Sequence, residues 1–285
     1  MRDQLVLALD VGGSSVKSAL VANGHHIMGQ VHIDDIRSGA SAPEILNTLT
    51  AIISGHLEKA SGIYRIAFAF PGPFDYVQGI SLIHNQAKYD ALYGLRLGTE
   101  LKKILGTPAL EIRYRNDAEA AILGESLYGA GVPYGRLLGI TLGTGLGSAF
   151  IAERNLITEG DDVPPQGWLY SCMFETQRAD DVFSTRGLLA RLRERGIYAR
   201  DVASAIQNTD THALSETFAS FGADLGTFLK PFVSDFRAEA VLVIGGIAEI
   251  WERFSPSLSN SLPVRPLKGT LGRRAALLGA AALYF

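Results

Sequence analysis

The sequence predicts an α/β protein built from two domains that repeat one plan. Each half of the chain opens with an apolar strand, a glycine-rich turn and a second strand, first near residues 5–21 and again near residues 137–152. Segments with helical spacing then alternate with further apolar strands, an order typical of a sheet covered by helices. At 285 residues the chain also exceeds the usual size of one domain.

The first half of the chain is predicted to run β-β-β-α-β-α-β. Its strands are expected at 5–9, 16–21, 26–32, 64–70 and 110–114, and its helices at 43–57 and 90–104. The first strand is continuously apolar, which indicates burial on both faces. The first two turns are too short for a crossover helix, so the first three strands should be antiparallel. Pro43 suits the first turn of the helix that follows Ser41.

The second half repeats the opening and then becomes richer in helix. Its strands are expected at 137–142, 148–152 and 240–244, and its helices at 180–195, 202–207, 214–236 and 272–283. The helix over 214–236 keeps its phenylalanines at helical spacing, and Pro231 predicts a kink within it.

The composition excludes several classes of protein. The formal net charge is −3 and no run of Lys or Arg exceeds two residues, so no basic patch for nucleic acid or an anionic membrane is expected. No apolar stretch approaches the roughly 18 residues that span a bilayer. The only cysteine, Cys172, cannot form an intrachain disulfide or a cysteine-rich zinc site. Together with the absence of a signal-peptide pattern, this predicts a cytoplasmic protein.

Three glycine clusters follow predicted strands: Gly12 and Gly13; Gly143, Gly145 and Gly147; and Gly245 and Gly246. Glycine lets backbone N–H groups approach an anion, but one such cluster is weak evidence because hairpins use glycine constantly. The order of the clusters is more informative. Asp10 precedes the first cluster, Thr144 lies inside the second, and the third opens a helix. Asp10 could hold Mg²⁺ directly or through water, or it could simply cap the turn.

Six segments resemble, in chain order, the motifs of the ROK family, which is named for repressors, open reading frames and sugar kinases. They are Leu-Ala-Leu-Asp10-Val-Gly12-Gly13-Ser14-Ser15, Phe70-Pro71-Gly72-Pro73, Asn116-Asp117-Ala118 and the segments 139–147, 243–247 and 275–280. The resemblance implies a two-lobed, actin-like ATPase fold of the ribonuclease H-like type, with duplicated lobes and an interdomain cleft. It also implies a kinase that uses ATP and Mg²⁺ to phosphorylate a sugar hydroxyl, usually the one on C6.

The resemblance assigns a role to each motif. The phosphate turns would comprise Gly12, Gly13, Ser14, Gly143, Thr144, Gly145 and Gly147, and Gly245 and Gly246 would contact the adenosine. Asp10 would hold Mg²⁺, and Gly72, Asn85, Asn116 and Asp117 would face the sugar.

Asp117 would be the catalytic base. It follows a predicted strand, and Asn116 is a good N-cap for the helix that begins there. A carboxylate at this position could orient a sugar hydroxyl and accept its proton. Alternatively, it would merely complement the helix dipole.

The resemblance also implies how the chain is divided. Residues 1–115, joined by the terminal helix over 273–285, would form the N-terminal lobe, and residues 116–272 the C-terminal lobe. The lobes are expected to close around substrate. A homodimer is expected from the family.

One segment departs from the family pattern. Most members carry a Glu-x-Gly-His segment that contacts the sugar, and many carry a cysteine-rich zinc loop, but residues 155–187 contain neither. Zinc is therefore predicted to be absent. Asp180-x-x-x-Ser184 resembles the Glu-x-x-x-Ser that follows the zinc loop. The missing sugar contacts could come from Glu159, Gln166, Trp168 or Glu175.

Alternative functions remain open at this stage. The altered segment is compatible with a kinase for another small hydroxyl compound, or with a catalytically silent sugar-binding protein. A DNA-binding repressor is disfavoured because the first motif begins near residue 1 and leaves no room for a helix-turn-helix domain ahead of it. The sequence determines neither the sugar nor whether polyphosphate could replace ATP.

Overall fold

The chain divides into two compact units. Unit 1 comprises Met1–Gly124 and Arg273–Phe285, and unit 2 comprises Glu125–Gly272. The computed structural model describes residues 4–60, 62–86, 88–208 and 212–285.

In unit 1 a five-stranded sheet carries the first glycine turn. Its elements are β1 (Leu5–Val11), β2 (Ser15–Ala22), β3 (His26–Asp35), α1 (Ala42–Lys59), β4 (Arg65–Phe70), β5 (Phe74–Asp75), β6 (Ile80–Ser81), α2 (Leu97–Leu105), β7 (Glu111–Asn116) and α3 (Asp117–Tyr128). The strand order is β3-β2-β1-β4-β7. As predicted, β1, β2 and β3 are antiparallel. Strand β4 pairs in parallel with β1, and β7 pairs in parallel with β4.

The central strands of unit 1 are buried on both faces. Residues 6–9 of β1 and 66–70 of β4 are buried, which explains their continuous apolar sequences. Helix α1 begins with a capping box between Ser41 and Glu44, and its buried face contributes Ile45, Leu49 and Ile53 to the core.

Unit 2 repeats this sheet with different helices. Its elements are β8 (Arg136–Leu142), β9 (Leu146–Ala152), β10 (Asn155–Ile157), β11 (Met173–Phe174), β12 (Gln177–Arg178), α4 (Ala179–Phe183), α5 (Thr185–Glu194), α6 (Val202–Asn208), α7 (His212–Phe236), β13 (Ala240–Ile244), α8 (Trp251–Ser261) and β14 (Arg265–Lys268). The order β10-β9-β8-β13-β14, with the same strand directions, confirms the predicted duplication.

The terminal helix α9 (Ala275–Ala281) belongs to unit 1, and α3 stays with it up to Gly124. A Cβ atom on Gly279 would lie 1.7 Å from the Ala120 carbonyl oxygen, and one on Gly124 would lie 2.0 Å from that of Ala275. Glycine at these positions therefore permits close packing of the two helices. The chain thus divides after Gly124, later than the boundary expected at residue 115.

Several elements differ from the sequence-based expectations. The helix expected over 90–104 is a 3₁₀ turn at Asp90–Leu92 followed by α2, and Gly94 with φ of 75° separates them. The helix expected over 180–195 is interrupted at Ser184, whose backbone is extended. The hairpins β5–β6 and β11–β12 and the strands β10 and β14 were not predicted. The helix expected after the third glycine cluster is a 3₁₀ turn at Gly246–Ile250 followed by α8. Within the described ranges, no helix is long and apolar enough to cross a bilayer.

A buried carboxylate joins the two ends of unit 2. Glu125 is 1% exposed, and it accepts hydrogen bonds from the N–H groups of Ala130 at 3.0 Å and Leu271 at 2.6 Å. The Thr270 hydroxyl also donates to it, at 3.4 Å. These donors satisfy a carboxylate that would be costly to bury alone.

Candidate functional site

The first glycine turn connects β1 to β2 and lies beside an ion pair. Asp10, next to last in β1, is opposite Lys17 of β2, whose Nζ lies 2.6 Å from the Asp10 carboxylate. Gly12 closes the turn by donating its N–H to the Ser15 carbonyl at 2.9 Å. The N–H groups of Gly13 and Ser14 have no hydrogen-bond partner among the described residues. The predicted turn thus offers backbone donors next to a carboxylate.

Asp117 lies where β7 ends and α3 begins. The Asn116 side-chain oxygen accepts the N–H groups of Ala118 at 3.0 Å and Glu119 at 3.2 Å, which confirms Asn116 as the cap of α3. The Asp117 carboxylate itself accepts the Ala118 N–H at 2.9 Å. The side chains of Asn116 and Asp117 thus share the Ala118 N–H, and this shared hydrogen bond holds the Asp117 carboxylate at the first turn of the helix.

The charges around Asp117 act in opposite directions. Burial raises the pKa of the Asp117 carboxyl, and the negative charge of Asp10 raises it further. The Ala118 N–H and the positive charge of Lys88 oppose this increase. The register of β1, β4 and β7 places Asp10 and Asp117 at the same edge of the unit 1 sheet.

The Pro-Gly-Pro loop adjoins Asn116. It follows β4 and contains a cis peptide bond between Gly72 and Pro73. A Cβ atom on Gly72 would lie 3.1 Å from the Tyr76 hydroxyl and 3.7 Å from the Asn116 amide nitrogen. Gly72 therefore lies beside Asn116, the residue that precedes Asp117.

Asn85 lies in the segment between β6 and the 3₁₀ turn at Asp90–Leu92. It is exposed, with a left-handed φ of 57°, and no hydrogen bond among the described residues connects it to Gly72, Asn116 or Asp117. His84 beside it packs against Tyr93 at 4.9 Å between ring centroids.

The second glycine turn, in unit 2, is supported by polar side chains. Asp180 accepts the Leu146 N–H at 2.7 Å, and Thr141 accepts the Gly147 N–H at 3.1 Å. Thr185 donates both its N–H and its hydroxyl to the Gly143 carbonyl.

These contacts leave some donors of the second turn unused. The N–H groups of Thr144 and Gly145 have no partner in the described part of the chain, and Thr144 is exposed. Ser184, predicted with Asp180 from the Glu-x-x-x-Ser resemblance, is the N-cap of α5.

The third cluster follows β13. Gly245 has φ of 98°, and a Cβ atom there would lie 2.4 Å from the Leu142 carbonyl oxygen, so only glycine fits. Gly246 opens a 3₁₀ turn, and a Cβ atom on it would meet nothing within 4 Å. Both glycines are exposed and accessible to a ligand.

The segment that departs from the family pattern surrounds a cavity in unit 2. The cavity has a volume of about 460 Å³ and is lined by Thr158, Glu159, Gly160, Val163, Pro165 and Gln166. Trp168 is half-buried and packs against Tyr170 at 5.8 Å, whereas Glu175 lies in the β11–β12 turn with φ of 53°. Two of the four candidate replacements, Glu159 and Gln166, thus line one cavity.

Side chains that could bind a metal ion do not cluster in the described structure. No group of three or more His, Cys, Asp and Glu residues is placed to hold a metal ion within it. A magnesium ion that accompanies a nucleotide needs only one or two carboxylates in addition to phosphate and water. Asp10 fits this need because only one of its carboxylate oxygens is in contact with Lys17.

Sequence reasoning missed three side chains that contact the candidate site residues. Lys17 could have been found from strand alternation, because the hairpin places it opposite Asp10. Tyr76 and Tyr89 gave no local signal. Their hydroxyls reach Asn116 and the Gly12 carbonyl, which are 40 and 77 positions away along the chain.

Solved structures with the same fold include several sugar kinases. A ROK family glucokinase from Streptomyces griseus, in complex with glucose and AMPPNP, superposes with a TM-score of 0.77 at 20% identity, over 98% of this chain and 99% of that one. A ROK hexokinase from Thermus thermophilus gives 0.73 at 19% identity, over 98% and 97%. These likenesses confirm the predicted actin-like fold.

The relatives found by sequence include glucokinases. A glucokinase from Halalkalibacterium halodurans is 26% identical over 280 residues, covering 87% of this chain and 82% of that protein. A polyphosphate glucokinase from Mycobacterium leprae is 30% identical over 152 residues, covering 52% and 44%. The sequence model of the ROK family matches residues 6–284. The chain therefore belongs to the ROK family.

Proposed function

We propose that this chain is an ATP-dependent sugar kinase that transfers the γ-phosphoryl group to the C6 hydroxyl of glucose or a related hexose. The observation that carries the proposal is the placement of Asp117. Its carboxylate is held at the start of α3, beside the Gly72 loop and within the electrostatic influence of Asp10. A carboxylate fixed in this way can serve as a positioned general base.

The proposed step begins when Asp117 orients the sugar hydroxyl. The hydroxyl oxygen attacks the γ-phosphorus, the bond to the β-phosphate oxygen breaks, and ADP departs. Asp117 accepts the proton that the hydroxyl loses. Because the transition state of phosphoryl transfer is loose, the alignment of the hydroxyl contributes more than the strength of the base.

Backbone donors would bind the phosphates. The unused N–H groups of Gly13 and Ser14 in unit 1, and of Thr144 and Gly145 in unit 2, are of the type that binds phosphate oxygens. The exposed Gly245 and Gly246 would contact the adenosine. Asp10 would hold Mg²⁺ through water, and the ion would neutralise phosphate charge.

The names of the relatives support a hexose as the acceptor. The Halalkalibacterium protein is named a glucokinase, and the Streptomyces structure contains glucose. The segment lining the 460 Å³ cavity lacks the expected Glu-x-Gly-His and favours a second candidate, a kinase for another small hydroxyl compound.

The test is ADP release by the purified protein with ATP and Mg²⁺, across a panel of hexoses, N-acetylhexosamines, glucosides and small polyols. Sugar-dependent turnover is expected, and Asp117→Asn should lower it by about 100-fold or more because the base is lost. AMPPNP binding to the variant, measured by calorimetry, controls for folding.

Three outcomes would contradict the proposal. Turnover that survives in Asp117→Asn would exclude Asp117 as the base. Turnover with a polyol but with no sugar would support the second candidate, and AMPPNP binding without any turnover would indicate a silent sugar-binding protein. The homodimer is a separate proposal from the family resemblance, which light scattering of the purified protein can test.

A further inference from the structure

Four aromatic side chains form a continuous row in unit 1. In spatial order the aromatic row is Tyr89, Phe70, Phe74 and Tyr76, with ring centroids separated by 5.4, 5.0 and 5.3 Å. Phe70 is the last residue of β4 and Phe74 the first of β5. Rings at these distances pack as one unit, because displacement of one ring disturbs its neighbours.

The Tyr76 end of the row holds Asn116. The Tyr76 hydroxyl accepts a hydrogen bond from the Asn116 amide at 3.0 Å and donates one to the Phe70 carbonyl at 3.1 Å. The oxygen of the same Asn116 side chain caps α3. Tyr76 therefore fixes the orientation of the cap, and the cap fixes the first turn of α3, where Asp117 lies.

The Tyr89 end holds the first glycine turn. Its hydroxyl donates to the Gly12 carbonyl at 2.5 Å, and its N–H donates to the Ser38 carbonyl at 2.6 Å. Tyr89 is fully buried, so its ring has little freedom to move. The next two residues of the turn, Gly13 and Ser14, carry unused N–H groups, and the position of these donors depends on where Gly12 is held.

We infer that Tyr76 and Tyr89 are positioning residues for phosphoryl transfer: Tyr76 orients Asp117 through Asn116, and Tyr89 orients the phosphate-binding turn through Gly12. The inference rests on the proposed kinase function. It assigns different kinetic effects to the two ends of the row, because one end supports the acceptor side of the reaction and the other supports the nucleotide side.

The test compares three variants that each remove one hydroxyl and retain the ring: Tyr76→Phe, Tyr89→Phe and Tyr114→Phe. Tyr114 packs on Phe74 at 5.1 Å and is 7% exposed, but its hydroxyl has no hydrogen-bond partner within the part of the chain that the structure describes. It is therefore a matched control for loss of a buried hydroxyl. The measurements are kcat and KM for ATP and sugar, AMPPNP binding by calorimetry, and thermal unfolding.

Tyr76→Phe should lower kcat about tenfold and leave the KM for ATP within about twofold of its original value, since a misaligned base affects the chemical step. Tyr89→Phe should weaken AMPPNP binding about fivefold and change kcat less, as loss of one hydrogen bond would. Tyr114→Phe should leave all of these values within about twofold, because it breaks no hydrogen bond.

The inference is overturned if Tyr114→Phe lowers kcat as much as Tyr76→Phe does, or if Tyr76→Phe and Tyr89→Phe have the same kinetic effects. Either result would mean that the two hydroxyls do not position the acceptor side and the nucleotide side separately. A parent protein without turnover on any acceptor would instead refute the kinase proposal, and the role of Tyr76 with it. In that case AMPPNP titration of Tyr89→Phe still decides the role of Tyr89.

Discussion

The two units share one sheet order and differ at the end of the first strand. In unit 1 the next-to-last residue of β1 is Asp10, and in unit 2 the next-to-last residue of β8 is Thr141. Asp10 forms an ion pair with Lys17 across the hairpin, whereas Thr141 accepts the N–H of Gly147. The same position thus carries a charge in one unit and a neutral hydroxyl in the other.

The side chains that support the two turns differ in the opposite sense, because a neutral tyrosine supports the first and a carboxylate supports the second. Tyr89, from a distant segment, holds the first turn through a carbonyl, and Asp180 holds the second through an N–H group. Both arrangements leave adjacent N–H groups unused. Among the described residues, each unit therefore has a glycine turn with unused backbone donors, and only the turn of unit 1 follows a strand whose next-to-last residue is a carboxylate.

Removing the negative charge of Asp10 should lower kcat more than removing the hydroxyl at the equivalent position of unit 2. Asp10→Asn removes the proposed magnesium contact, and kcat should fall by about 100-fold, because the phosphate charge is then less well neutralised. Thr141→Val removes only one hydrogen bond within the second turn, and the KM for ATP should rise about two- to tenfold. Steady-state kinetics at several Mg²⁺ concentrations measures both.

This pair would break the comparison if Thr141→Val lowered kcat as much as Asp10→Asn. The two turns would then contribute equally to the chemical step. Thermal unfolding of Asp10→Asn is the control, since Lys17 loses its ion-pair partner in that variant.

The two glycines that follow β13 should differ in how far substitution by alanine destabilises the protein. Gly245 follows β13 with φ of 98°, and a Cβ atom there would lie 2.4 Å from a backbone oxygen. Gly245→Ala should therefore lower the free energy of unfolding by about 2–3 kcal/mol, measured by urea denaturation. Gly246→Ala, whose Cβ meets nothing within 4 Å, is the matched control. A loss for Gly246→Ala equal to that for Gly245→Ala would refute the steric argument.

A smaller effect is expected from Lys88, the cation near Asp117. Its charge lowers the pKa of Asp117, so Lys88→Met should raise that pKa further. An aspartate base works only when ionised, and kcat/KM should therefore rise at a higher pH than in the parent protein. The pH profile of kcat/KM measures this shift, and Lys103→Met, on the exposed surface of α2, should leave the profile unchanged.

The sequence predicted the elements whose pattern is local. The apolar runs of β1, β8 and β13 and the spacing of α7 were sufficient to locate them, and ordered motifs located Asp10, Asn116 and Asp117. The strand β14 was missed because Arg-Pro-Leu-Lys has neither an apolar run nor alternation, and it is stabilised by pairing with β13. A helix was expected after the third glycine cluster, but the bounds of α8 were not, because Pro256 interrupts its pattern.

The supports of the site could not be predicted because they depend on contacts between distant residues. The Tyr76 and Tyr89 hydroxyls act on groups that are 40 and 77 positions away, and only the folded chain shows that they meet. The role of Asn85 stays a prediction from the family resemblance.

The Glu125 carboxylate has a consequence for how the chain could be rearranged. It lies at the first residue of unit 2 and accepts the N–H of Leu271, one residue before that unit ends. Unit 2 is thus a continuous insertion whose two ends are hydrogen-bonded to each other. A short linker could join these ends in an excised or circularly permuted unit 2, and a cut after Gly124 would leave the last four residues of α3 with that unit.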